Sequence, residues 1–438
     1  MPARTVSFRP RRVLAVDLAT GRIQYPDPEA HPHHPDARVL VIWCGDPIGM
    51  VDVTVPDADV VPAVRRATWE QLGPAIMAAA TRRGAVPPRS IEDLTALVED
   101  VEQSLHVASD SPFVTVTIAS FRNIVSTVDS VRRVLAGCWR NLEVVVVDND
   151  VDPEPLGRAL RQAFSGEDRV RWVHEPRQGL SFARNAGLAA ARGDITVFTD
   201  DDVWVDPHWV ERLVTAFDAG SGPVACVTGA ILPAELETQA QLWLEEYGGF
   251  HKGFERRVFD ATQDPPESPL YPYNSGQFGS GANMAFRTGV LRELGGFAVD
   301  LGAGTPAHGG EDLDVFMRTV TAGHTIVYEP AALMWHRHRR SLAALRRQMF
   351  RYGIGLSATV TRWVLQDRRT AVAILRRLPA GLVYLLSPGS DKNRSKTTTF
   401  PRLLTALELG GVLLGPLAYL RSRRHVRRVL MRRTRTET

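Results

Sequence analysis

The sequence predicts an α/β protein: a mostly parallel sheet flanked by helices, with a small α/β unit before it and a helical tail after it. Three observations carry this. Between Pro112 and Asp202, apolar runs that read as strands alternate with helically spaced segments, the pattern of βαβ crossovers. The 438 residues exceed one ordinary domain of about 100–200 residues, so two or three units are expected. Charge is also unevenly divided. Residues 333–438 hold 23 Lys/Arg against four Asp/Glu, a net of +19, whereas the preceding 332 hold 29 against 45, a net of −16. Boundaries are expected near 1–108, 109–365 and 366–438, the last unit basic and partly apolar. A chain polarised in this way should meet something anionic at its C-terminal end.

The composition is globular, 44% hydrophobic and 23% charged. It excludes a collagen, a disulfide mini-protein and wholesale disorder. Only three of the 52 basic residues are lysines: Lys252, Lys392 and Lys396. Cys44, Cys138 and Cys226 lie far apart with no CxxC pair, which argues against a disulfide framework or a Cys-based zinc site. The first residues lack the apolar core of a secretory signal, so a reducing, cytoplasmic setting is expected.

Taken in order, residues 37–55 read as two strands around a Gly-Asp-Pro turn, and 60–83 as a helix closed by Pro87–Pro88. His31, His33 and His34 lie in a Pro-rich stretch that reads as solvated loop rather than a metal site. Residues 114–120, 142–150, 170–176 and 195–202 are strand-like. Residues 123–136 and 180–192 are helical, the latter Ala-rich. In such sheets ligands bind beyond the carboxyl ends of the strands, where the acidic clusters Asp148–Asp150 and Asp200–Asp202 fall. Residues 260–283 read as a long loop, 288–294 and 311–322 as helices, 325–330 as a short strand and 341–365 as a helix. Residues 403–420 hold one charge, Glu408, together with Gly410, Gly411, Gly415 and Pro416. A spanning helix needs about 20 apolar residues, so this run is expected to lie in a membrane interface. Eight arginines follow within 421–435, which suits an anionic inner leaflet better than nucleic acid.

Three successive carboxylates at 200–202 repel one another unless a cation sits among them. Hard oxygen ligands suit Mg2+ or Mn2+, and Asp200 and Asp202, two apart at a strand end, can aim at one point. An acidic surface turn is the bland alternative. In GGEDLDVFMR (309–318), Asp312 falls in a first helical turn, where a carboxylate can act as a general base or merely complement the helix dipole; Glu311 stands beside it. His336 and His338 share a face of an extended segment, and a neutral imidazole could complete a carboxylate metal site. Arg184 suits phosphate or a structural ion pair, with Asn185 beside it. Gly281 and Asn283 lie in FGSGANMAFR, where small residues allow a ligand, or a tight turn, close to the backbone.

Seven ordered elements together resemble a family 2 glycosyltransferase with a GT-A fold over roughly residues 112–355. They are VTIASFRN, VVVVDND, GLSFARNAGLAAARGD, VFTDDDV, FGSGANMAFR, GGEDLD and WHRHR. The resemblance implies a nucleotide-sugar donor, Mn2+ or Mg2+, and inversion at the anomeric carbon. It implies that Asp148 contacts the nucleobase, that Asp200 and Asp202 hold ribose and metal–diphosphate, that Asp312 is the base and that His336 completes the metal shell. Ala119, Ser120, Phe121, Arg184, Asn185 and Asp201 are placed with the donor, and Gly281 and Asn283 with the acceptor. ASFR at 119–122 departs from the commoner PTYN. The acceptor is expected to be lipid-linked or membrane-proximal, in cell-envelope glycan or glycoconjugate synthesis. A sugar-phosphate nucleotidyltransferase would want a Gly-rich basic loop where ASFRNIVST stands. A non-catalytic nucleotide-sugar or lipid-binding protein would not need the DDD and ED acids.

Overall fold

The computed structural model describes residues 8–27, 34–54, 60–82, 84, 86–90, 93, 111–219, 222–250, 252–261, 268–390, 392–397 and 399–436. His31 and His33 lie outside these, and His34 Nε2 is 2.9 Å from Glu237 Oε2.

The N-terminal unit is a sheet of order β2-β1-β3-β4, comprising β1 (Arg12–Asp17), β2 (Ile23–Gln24), β3 (Asp36–Trp43) and β4 (Asp46–Thr54). Helix α1 (Val60–Arg82) covers it. The β3–β4 hairpin and α1 follow the sequence reading; β1 and β2 are additional. Ala15, Leu40, Ile42 and Met50 pack with Leu232, Trp335 and Trp204 of the larger domain, so the two units share apolar contact.

The larger domain is a nine-stranded mixed sheet of order β11-β13-β10-β12-β8-β5-β6-β7, with β9 added to β13. Its members are β5 (Val114–Ser120), β6 (Leu142–Asp148), β7 (Val170–His174), β8 (Ile195–Asp200), β9 (Val203–Val205), β10 (Val224–Pro233), β11 (Arg257–Phe259), β12 (Asn283–Arg287) and β13 (Thr325–His336). β5, β6, β7, β8, β10 and β13 run one way; β9, β11 and β12 oppose them. The flanking helices are α2 (Ile124–Ala136), α3 (Glu154–Ala163), α4 (Leu180–Ala190), α5 (Trp209–Thr215), α6 (Gln239–Glu246), α7 (Thr288–Glu293) and α8 (Glu311–Thr321). β5 and β6 are buried nearly throughout, as central parallel strands covered on both faces must be. β13 extends to residue 336, well past the short strand expected at 325–330. Its whole length is buried except His336, so no polar residue marks its continuation.

The C-terminal region is helical, as expected of 366–438. It comprises α9 (Leu342–Gln366), α10 (Arg368–Leu386) and α11 (Arg402–Thr436); the sequence reading did not resolve α10 as a separate element. α11 is packed along α9. A Cβ on Gly353 would strike the Glu408 carbonyl, one on Gly411 that of Phe350, and one on Gly415 the Ser357 hydroxyl. Three glycines thus let two backbones approach closely. Glu408, the lone charge of the apolar run, is buried, accepts from Tyr247 Oη at 2.6 Å and pairs with Lys392.

Candidate active site

The acidic cleft lies beyond the carboxyl ends of β5, β6 and β8, beside the end of β13. β8 ends at Asp200, and Asp201 and Asp202 turn the chain into β9. The three carboxylates diverge. Asp202 Oδ1 is 3.5 Å from His336 Nε2. Burial raises the Asp200 pKa, and the charges of Asp202 and Asp312 add to it against Arg184 and His336. Burial alone would raise the Asp202 carboxyl, but the bond and charge of His336 leave it below its ordinary range. The same contact raises His336 although burial opposes it. Asp200 therefore lies within the field of Asp202, His336 and Asp312 at this cleft.

Asp201 points the other way. Asn123 Nδ2 donates to its Oδ1 at 3.1 Å, and Thr127 Oγ1 lies 3.5 Å from Oδ2. Burial pushes its carboxyl up to about 6 from 3.8. A folded pKa above the unfolded one contributes stability below pH 3.8 that is lost as pH rises through about 6. Asp201→Asn is therefore expected to raise the melting temperature at pH 7.5, with the gain fading toward pH 4, and to keep activity. Thermal melts across that range check the sign, and a loss of donor affinity would return Asp201 to the donor site.

Asp312 stands in the first turn of α8. Its Oδ2 accepts from Gly281 N at 3.0 Å and its Oδ1 from Leu313 N at 2.8 Å, which fixes the carboxylate while leaving it half-exposed. Gly281 is needed there: an added Cβ would lie 2.8 Å from Arg184 Nη1 and 3.0 Å from Asp312 Cβ. Glu311 differs. It is buried, its Oε1 accepts from Arg184 Nη1 at 2.8 Å, and its Oε2 lacks a partner. Burial and then the Asp312 charge raise its pKa, against Arg184.

Several sequence-predicted contacts turn inward. Arg184 is only 3% exposed and also donates to Gly281 O at 2.8 Å and Asp200 Oδ1 at 3.4 Å. It is a structural tie in this conformation, because its guanidinium is spent on protein groups rather than open to phosphate. Asn185 holds the backbone of Phe297 through both its donor and its acceptor, each at 2.8 Å. Asn283 is fully buried. Its Nδ2 donates to Ala230 O and Ala332 O, and its Oδ1 accepts from Trp209 Nε1. Those carbonyls lie where the β10–β13 register shifts, so Asn283 satisfies groups the irregularity would strand; an acceptor cannot reach it. Asp148 is buried with Oδ2 unpartnered, and burial raises its pKa. Ala119 is half-buried, and Ser120 Oγ is 2.7 Å from Thr127 Oγ1. Phe121 is half-exposed under the Arg122 guanidinium, 5.0 Å from its ring centroid, and Arg122 pairs with Asp150 at 3.1 Å. Phe121 and Arg122 are the exposed members of this loop.

The two histidines meet through their Nδ1 atoms at 3.2 Å and differ at Nε2. His338 is enclosed and its Nε2 is 2.8 Å from Glu245 Oε1, whereas His336 faces Asp202. His336→Ala is expected to weaken Mn2+ affinity with little change in melting. His338→Ala should lower the melting temperature, since it removes an enclosed side chain together with its bond to Glu245. Mn2+ titration and thermal melts on both variants check this; titrations equal to the parent's in both would remove His336 from the metal site.

Sequence reasoning missed three neighbours. Lys252 lies within the field of Asp312, and burial brings its pKa to about 8. Tyr352 on α9 is pushed up to about 12 by burial, with Asp312 and Asp200 adding. Arg339 acts on Asp202 and His336. The one available signal was Lys252 itself, one of only three lysines in an arginine-rich chain.

Among the described residues no group of three His, Cys, Asp or Glu is preassembled around a metal. Asp202 and His336 offer an oxygen and a nitrogen donor on one side, with Asp200 adjacent. Such a partial set fits Mg2+ or Mn2+ when a diphosphate supplies further oxygens.

An α/β sheet whose strands end in a cleft of carboxylates defines a ligand-binding domain of the doubly flanked α/β class. Residues 113–295 match the family described as Glycosyl transferase family 2. The match includes Asp148, Asp200 and Asp202; Asp312 and His336 lie beyond it. The chain is similar to the pre-mycofactocin glycosyltransferase of Mycobacterium tuberculosis, 28% identical over 211 residues, 48% of this chain and 40% of that protein. It is similar to the succinoglycan biosynthesis protein ExoM of Rhizobium meliloti, 32% identical over 48% of this chain and 63% of that protein. The chain thus spans about half the length of these relatives. A solved mannosyltransferase, PcManGT from Pyrobaculum calidifontis in complex with GDP-Man and Mn2+, is 17% identical with a TM-score of 0.46, over 69% of this chain and 87% of that one.

Proposed function

We propose that the chain is a metal-dependent inverting glycosyltransferase that moves a sugar from a nucleotide-sugar donor to an acceptor hydroxyl. The observation that carries this is the gathering of Asp200, Asp202, His336 and Asp312 in one cleft at the strand ends of a domain that includes the family 2 match. Asp202 and His336, with Asp200, would hold Mn2+ or Mg2+ against the donor diphosphate. A bound divalent cation offsets charge on the departing nucleoside diphosphate. Asp148, at the end of β6, and the exposed Phe121 would contact the base.

Asp312 takes the proton of the acceptor hydroxyl as its oxygen attacks the anomeric carbon from the face opposite the diphosphate. The new C–O bond forms as the bond to phosphate breaks, and the nucleoside diphosphate leaves with the electron pair. One displacement inverts the carbon without a covalent sugar–enzyme intermediate. Glu311 and Arg184 hold Asp312 and Asp200 in register. Relatives include a protein of succinoglycan biosynthesis, and α11 is long and apolar enough to associate with a membrane. The acceptor is accordingly placed at the inner face of the cell membrane, lipid-linked or membrane-proximal, in envelope glycan or glycoconjugate synthesis.

The test is calorimetric titration of nucleoside diphosphates with and without Mn2+. Asp202→Asn is expected to abolish the Mn2+-dependent part of binding and to lower the melting temperature modestly at neutral pH, because the carboxylate that His336 holds below its ordinary range is lost. Unchanged Mn2+-dependent binding in that variant would reject the metal assignment.

A further inference from the structure

We infer that α10 and the outer face of α11 form a membrane-docking platform that lies in the plane of an anionic leaflet without crossing it. This rests on the membrane-proximal reading above and assigns its contact surface. On α10, Val372, Leu375, Leu378, Leu382, Val383 and Leu386 are all exposed. Spaced mostly three or four residues apart, they fall on one side of a helix with 3.6 residues per turn. Ile374 is the one residue of this helix that is deeply buried. The amphipathic pattern is thus inverted relative to a helix packed for water. On α11, Leu403, Leu413, Leu414, Leu417 and Leu420 are exposed, and Leu413 reaches 81%. Each helix thus carries an exposed apolar face of the kind that marks an interaction surface.

Charge identifies the occupant. Exposed Arg368, Arg369 and Arg376 stand along α10. Exposed Arg421, Arg424, Arg427 and Arg428 continue the outer face of α11 beyond its leucines. A second copy would bring arginines against arginines. An anionic bilayer takes leucines into its acyl boundary and arginines at its headgroups.

The depth follows from packing. To span, α11 would have to leave α9, because its apolar stretch is the stretch that Gly353, Gly411 and Gly415 lock in place. That would put Glu408 into hydrocarbon without Tyr247 or Lys392, at the cost a charged group pays there. Held on α9, α11 can present only its outer face. Deleting residues 400–438 would uncover α9 and is a poor test of binding.

The experiment is flotation of the full chain with phosphatidylcholine vesicles with and without phosphatidylglycerol. The parent is expected to float with the anionic vesicles and to sink as salt rises. Leu375→Glu/Leu382→Glu on α10 and Leu413→Glu/Leu417→Glu on α11 should each lose at least about tenfold in partition, as withdrawing two leucines from the acyl boundary implies. The altered side chains are exposed, so thermal melts should match the parent. An α10 variant that floats like the parent overturns the platform. So does a parent that stays with the soluble fraction, above all if the same substitutions turn a dimer into a monomer. Flotation requires no turnover: a parent that floats yet uses no donor would remove the proposed activity and leave the platform standing.

Discussion

Asp312→Asn is expected to bind donor as the parent does and to transfer sugar at least about a hundredfold more slowly, the scale of a lost general base. Asparagine keeps the shape of the side chain and an oxygen for the Gly281 or Leu313 N–H, so the first turn of α8 survives. What disappears is the ability to accept the acceptor's proton. Nucleotide titration separates the two effects: an unchanged Kd with a depressed kcat is the expected pair. Glu311→Gln should be milder, because Glu311 is enclosed and engaged by Arg184. A deeper loss from Glu311→Gln would reverse the two roles.

Arg184→Met should cost about 3–5 kcal/mol of stability, the range for removing one partner of a buried pair. The guanidinium bridges Glu311, Asp200 and the Gly281 carbonyl, and no water-facing position is open to a 3% exposed side chain. Glu311, already raised by burial and by Asp312, would then take up a proton or stay charged without a partner. Adding Glu311→Gln to Arg184→Met should restore part of the loss, since one stranded charge goes with the other. Denaturant unfolding of the two single variants and the double variant measures this coupling. A single variant as stable as the parent, with donor affinity reduced, would return Arg184 to phosphate binding.

The strands that build the cleft were legible because central parallel strands are apolar throughout and their ends are marked by acids: VVVVD at β6 and ITVFTD at β8. The second half of the sheet was not. β10 is buried at all ten positions yet contains Gly229 and ends in Pro233, so neither alternation nor turn signals frame it. α10 escaped for the opposite reason: its apolar stripe faces outward, and Pro379 interrupts it. Within the site, the sequence named the carboxylates but not their directions. Asp201 faces α2 and Asp202 faces His336 because a tight turn splays adjacent side chains, which residue spacing alone does not report. Asn283 resembled a ligand contact because small residues surround it, but the same smallness lets its amide reach the two carbonyls at the β10–β13 irregularity.

The central claim is tested most directly by measuring nucleoside diphosphate release from a panel of nucleotide sugars with Mn2+, for the parent and for Asp312→Asn. The account predicts Mn2+-dependent release from at least one donor by the parent, abolished by chelator and strongly reduced in Asp312→Asn. Release that persists unchanged in chelator or in Asp312→Asn, or no release and no Mn2+-dependent binding with any donor, would contradict it.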